Sequence, residues 1–236
     1  MMFDPLYILI ILVGFGLSFY ASRLTKSRFQ KYSQFTTRSR LTGADIARNI
    51  LSDNNIHDVR VESVAGELSD HYDPRTKTLR LSQSVHDSNS MAAFGVAAHE
   101  VGHAIQHAKS YSMLTFRSSW VPVANRGGGL STIVLMLAFF MGGAQTTTGT
   151  SLAFLGVVLF GCTTLFTLVT LPVEFDASKR ALACLQKGNY VNEKELDGAR
   201  KVLNAAALTY VAAFITSLMT LIYWAFRLGL IGGRRD

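Results

Sequence analysis

Uncharged apolar runs alternate with short stretches of mixed polarity along this chain. Residues 5–21, PLYILIILVGFGLSFYA, form the first run; no charge occurs from Gly127 to Val173, and none from Val202 to Phe226. A helix needs about 20 apolar residues to cross a bilayer. The middle block, broken at GAQTTTGTS over residues 143–151, has room for two crossings. The pattern therefore predicts four transmembrane helices: an anchor at 5–21, a hairpin at 127–172 and a last span at 202–231. Buried core helices are the alternative, and an uncharged block long enough for two crossings argues against them. A cleaved leader would need a basic start and small residues at its end. Asp4 and LSFYASR offer neither, so the first span reads as a retained anchor.

The remaining segments, 22–126 and 173–201, carry the periodicities of a folded domain. Thr42 with Asp45 three residues later is a capping box, and Ala44, Ile46, Ala47, Ile50 and Leu51 share one face of a helix running to about Ser52. HDVRVESV alternates as a strand does, and the turn YDPRTK separates the region of His71 and Tyr72 from TLRLS, residues 78–82. A small mixed sheet is expected, with a helix after it that starts from Ser88 or Ser90 and reaches about Ala108. Residues 109–126 read as an irregular approach to the second span.

Composition sharpens this picture. A mean hydropathy of +0.24 with 49% apolar and 17% charged residues marks an integral membrane, mainly α-helical protein. Its net charge of +7 is concentrated beside the spans: Arg23, Lys26, Arg28, Lys31, Arg38 and Arg40 follow the first one. By the positive-inside rule 22–126 is cytoplasmic, and 173–201 joins it after the hairpin. Only the GGRRD tail disagrees. Basic residues concentrated beside a membrane span argue for topology and against nucleic acid. Cys162 and Cys184 supply neither a disulfide framework nor a CxxC pair.

Three of the six histidines fall in VAAHEVGHAIQHA, residues 96–108. Helical residues four apart lie on one face about 6 Å apart along the axis, so His99 and His103 can act as two ligands of one Zn²⁺. Glu100 is placed to take a proton from a zinc-bound water and to return it to a leaving amine. His107 extends the series, but over eight residues an unbroken helix rises about 12 Å, too far for a third ring to reach the same ion. HExxHxxGxxH sites break the helix at a glycine first, and AIQ has none. A third ligand must come from elsewhere.

LPVEFDASKRALACL, residues 171–185, supplies candidates in Glu174 and Asp176, the alternative being a carboxylate that merely marks the water boundary of the span. Glu174 follows the predicted end of the third span, and two crossings separate it from His103, so both face one compartment in either orientation. Glu174 is the expected third ligand; Asp176 could orient a histidine from behind. Arg180, one turn on, could pair with Asp176 or face an oxyanion, though an ordinary surface arginine is the plainer reading.

AAHEVGHAIQH, the hydrophobic hairpin, LPVEFDASKRAL and the upstream DHYDPRTKTLRLS together resemble the YugP-like family of bacterial membrane zinc metallopeptidases over nearly the whole chain. The layout is more distantly similar to HtpX-like and CaaX-processing membrane proteases. The resemblance implies a cytoplasmic α+β zincin-like metallopeptidase domain on four transmembrane helices. One Zn²⁺ per chain would be held by His99, His103 and Glu174, with Glu100 as base, in a multi-pass protein of the bacterial cell membrane. It implies an endopeptidase acting on membrane or membrane-proximal proteins. In the distant relatives an aspartate follows the ligand glutamate by four positions; here Ser178 stands there and the aspartate is two positions on. In such folds TLRLS would be the edge strand that binds extended substrate. The alternative is a non-catalytic assembly factor or transporter with a structural or regulatory metal. Against a transporter, the hairpin has no ionisable residue for an ion path.

Overall fold

The computed structural model describes residues 4–228. The side chains of Asn125 and Ala144 are excepted, and the GGRRD tail and the end of the last predicted span at 229–231 lie outside the described residues. The elements are α1 (Pro5–Ser33), α2 (Gly43–Asp53), β1 (Arg60–Val64), β2 (His71–Asp73), β3 (Thr78–Ser82), α3 (Gln83–His86), α4 (Met91–Ala108), α5 (Ser112–Phe140), α6 (Thr147–Lys187) and α7 (Glu193–Arg227). Among the described residues the chain is mainly α-helical with one three-stranded sheet, and four helices, α1, α5, α6 and α7, are long and apolar enough to cross a membrane.

The chain divides into two compact units. One comprises Met1–Tyr20, Phe116–Leu171 and Tyr210–Asp236. Its helices turn large apolar side chains outward, Phe15, Leu12, Ile133 and Phe140 among them, which suits lipid and not water. Between helices the contacts are small and polar: Thr164 and Ser217 share a hydroxyl hydrogen bond of 2.7 Å, and Ser131 Oγ donates to the Gly156 carbonyl at 3.0 Å. Such pairs hold helices together where burial of apolar surface provides no net drive.

The other unit, Ala21–Thr115 with Pro172–Thr209, contains the sheet and the motif helix. The expected capping box is present: the Thr42 side chain accepts from Asp45 N, and the Asp45 carboxylate accepts from Thr42 N. The predicted apolar face of α2 is buried, with Ile46, Ala47 and Ile50 at 1% exposure or less. Ser90, not Ser88, caps α4: its Oγ accepts from Ala93 N, and the Ser88 hydroxyl donates to it. A helix that is small and apolar on nearly every side is expected to be surrounded. Phe94, Ala97, Ala98 and Val101 of α4 accordingly pack into a core with Ile46, Ile50, Leu79, Leu81 and Leu185.

Several expectations give way here. TLRLS is not an edge: β3 pairs in parallel with β1 along its whole length and antiparallel with β2, giving the order β1-β3-β2. Thr78, Leu79, Leu81 and Ser82 are buried, the pattern of a strand covered on both faces and not of one offering its main chain to a peptide. Residues 112–126 are not irregular but form the first half of α5, which accommodates Pro122. Likewise α6 passes through Pro172 without a break, and α7 begins nine residues before the apolar run at 202. In each case the helix outruns the hydrophobic stretch, because backbone hydrogen bonding does not stop where charge resumes.

Gly102 sets the distance between α4 and α6. A Cβ there would lie 2.5 Å from the Ala177 carbonyl oxygen, a clash with rigid backbone. Gly102→Ala is expected to destabilise the detergent-solubilised protein by about 1–3 kcal/mol of overpacking, offset in part by about 1 kcal/mol of helix propensity. It should weaken metal binding as α4 is pushed from α6. Thermal melts and metal titration check this, and an unchanged variant would show that the two helices need not approach so closely.

Candidate metal centre

His99 and His103 face the same side of α4, as their spacing requires, with ring centroids 4.8 Å apart and planes nearly perpendicular at 84°. Glu174 projects from α6 between them, its side chain 3% exposed. Its Oε2 lies 3.2 Å from His99 Nε2 and 3.7 Å from His103 Nε2. Two ligands about 2.1 Å from a tetrahedral ion stand roughly 3.4 Å apart, so these separations fit a single metal. The three residues, each offering one ligand atom, form a group within 4.8 Å that could hold a metal ion. Two imidazoles and a carboxylate also match the N/O donor set of zinc hydrolases.

Glu100 stands on the same helix as His99 and His103, and His107 is not a member of the group. Glu100, next to His99, is 8% exposed, and its carboxylate accepts no hydrogen bond among the described residues. Its surroundings are not neutral. Burial pushes the Asp70 carboxyl above its ordinary range against hydrogen bonds from Ser82, and the charge of Glu100 adds to that rise. Asp70 is fixed there by accepting from Ser82 N at 2.7 Å and from the Ser82 hydroxyl, so the end of β3 sets a second carboxyl near the base of the site.

The helix continues unbroken through His107, whose Nδ1 shares a 2.8 Å hydrogen bond with the Tyr72 hydroxyl. Burial, with Asp58 and Asp73 nearby, pushes the Tyr72 phenol up to about 12, so it keeps its proton at any physiological pH. His107 thereby ties α4 to β2. Arg180 is no free surface arginine: its Nε donates to Asp176 Oδ2, and its guanidinium lies over the Tyr111 ring at 5.8 Å.

Two residues that spacing alone does not single out complete the surroundings. Ser178, one turn beyond Glu174 on α6, has its Oγ 3.1 Å from His99 Nδ1. Gln106, fully buried on α4, accepts at Oε1 from His103 Nδ1 at 3.0 Å. A polar residue three positions after His103 on an otherwise apolar face was the available signal for Gln106.

A family model described as "Putative neutral zinc metallopeptidase" matches residues 7–229. A protein of Bacillus subtilis (strain 168), named "Putative membrane protease YugP", is 43% identical over 217 residues, covering 92% of this chain and 94% of that protein. No solved structure matches the chain.

Proposed function

From the membership of this chain in that neutral zinc metallopeptidase family, we propose that it is a membrane zinc endopeptidase in which His99, His103 and Glu174 hold one Zn²⁺ and Glu100 is the catalytic base. The observation that carries this reading is the convergence of both Nε2 atoms on one Glu174 oxygen. When bound, Zn²⁺ supplies Lewis acidity, polarising a carbonyl and acidifying water. The rest is the work of the chain. Glu100, nearly buried and without a hydrogen-bond donor of its own among the described residues, takes the proton of the attacking water, holds it as a carboxylic acid, and delivers it to the departing amine. The buried surroundings of α4 keep bulk water from competing for that proton.

Glu174 lies two residues beyond the predicted end of the third span at Pro172. The reaction is therefore assigned to the cytoplasmic surface of the bacterial cell membrane. Its substrates are membrane proteins or segments beside the bilayer, which share the enzyme's two-dimensional confinement.

The purified full chain, reconstituted with a bilayer-inserted reporter protein, is expected to cleave it. A zinc chelator should abolish cleavage and added Zn²⁺ restore it. Cleavage indifferent to chelation, or none with Zn²⁺ present at one per chain, contradicts the proposal, and the latter result supports a structural metal instead.

A further inference from the structure

Gln106 is fully buried, and all of its polar capacity is directed. Its Nε2 donates to the Val173 carbonyl at 2.9 Å and to Asp176 Oδ2 at 2.8 Å, while its Oε1 faces His103 Nδ1 at 3.0 Å. The reverse amide orientation would set oxygen against two acceptors, so only one is compatible with α6. An amide oxygen cannot donate. His103 must therefore carry a proton on Nδ1, which leaves Nε2 as the ring nitrogen that faces Glu174. Asp176 is steadied in turn by Arg180. His99 is held differently, since the Ser178 hydroxyl can donate or accept and leaves the tautomer of that ring open.

We infer that Gln106 is a positioning residue, oriented by Asp176 and the Val173 carbonyl, that locks His103 in the Nδ1–H tautomer and so presets Nε2 for the metal. The inference rests on the zinc-site reading proposed above. A carboxylate commonly performs this task on a metal-binding histidine. Here the amide relays the carboxylate of Asp176 across to α4, because Asp176 pairs with Gln106 and not with either ring. Ser178 serves His99, and Asp176 serves His103 through Gln106.

The test uses the full chain in detergent, with zinc affinity read by competition against a chelator and the histidine tautomers of the zinc-free protein read by ¹⁵N NMR near pH 9. Gln106→Met fills the same space without accepting a hydrogen bond. It is expected to weaken zinc roughly 10–100-fold, and one imidazole should lose its Nδ1–H signature. The pair Gln106→Glu with Asp176→Asn restores an acceptor toward His103 and a donor toward position 106, while the second carboxylate oxygen faces the Val173 carbonyl in place of a donor. It should regain part of the lost affinity, which a purely space-filling role would not allow. Should Gln106→Met not fold, Asp176→Asn alone, at a side chain 25% exposed, is expected to weaken zinc by a smaller factor. Affinity within about twofold of the parent in whichever of these single variants folds, far short of the usual cost of losing such a partner, overturns the inference. If the parent protein binds no zinc, the functional reading fails by itself. The spectrum still decides: an Nδ1–H imidazole that vanishes with Gln106→Met sustains the positioning role, and its absence from the parent refutes it.

Discussion

Glu100→Gln is expected to keep zinc and fold while peptide hydrolysis falls by about 10²–10⁴-fold, the usual contribution of a positioned acid–base group. The substitution is isosteric, and the Glu100 carboxylate accepts no hydrogen bond among the described residues, so no partner is left unsatisfied by the change. Glu100 also raises the neighbouring Asp70 carboxyl through its charge. Neutralising it relieves that repulsion, so stability should hold or rise slightly. What disappears is the ability to take a proton. Comparing hydrolysis rates, metal content and melting temperature separates these effects, and a variant that hydrolyses peptide undiminished would remove Glu100 from the proposed chemistry.

Glu174→Ala is expected to have the other large effect, loss of the metal itself. In the proposed site Glu174 is the ligand that α6 contributes, and its side chain is 3% exposed beside the two imidazoles. Structural zinc sites bind with about 10–16 kcal/mol, so removing one ligand of three or four costs several kcal/mol. That corresponds to roughly 10³-fold in affinity. Two histidines one turn apart would remain, a pair that many helices carry without holding zinc at low concentration. The hydrolytic activity should vanish with the ion.

Much of this was legible because it is local or enforced by topology. Thr42 and Asp45 announce α2, Ser90 opens α4, and the four-residue spacing of His99 and His103 fixes their shared face. Glu174 could be matched to them across a gap in sequence because two predicted membrane crossings would return the chain to the same side. The unreadable parts depend on partners distant in sequence. Gln106 acquires its meaning from Val173 and Asp176 on α6. The central place of β3 depends on its parallel pairing with β1, with β2 lying between them in the chain and on the other side in space. Gly102 matters because of Ala177 and not because of anything in α4. The helices α5 and α6 run past Arg117, Pro122 and Pro172, residues that interrupt a hydropathy pattern more readily than they interrupt a helix.

The most direct test of the centre is zinc stoichiometry on detergent-purified protein by elemental mass spectrometry, with the parent chain beside Glu174→Ala and His107→Ala. About one Zn²⁺ per chain is expected in the parent, retained in His107→Ala, where only the link to Tyr72 is cut, and lost in Glu174→Ala. Zinc that survives without Glu174 but not without His107 would contradict the account, placing the site within α4 alone and requiring that helix to break after His103.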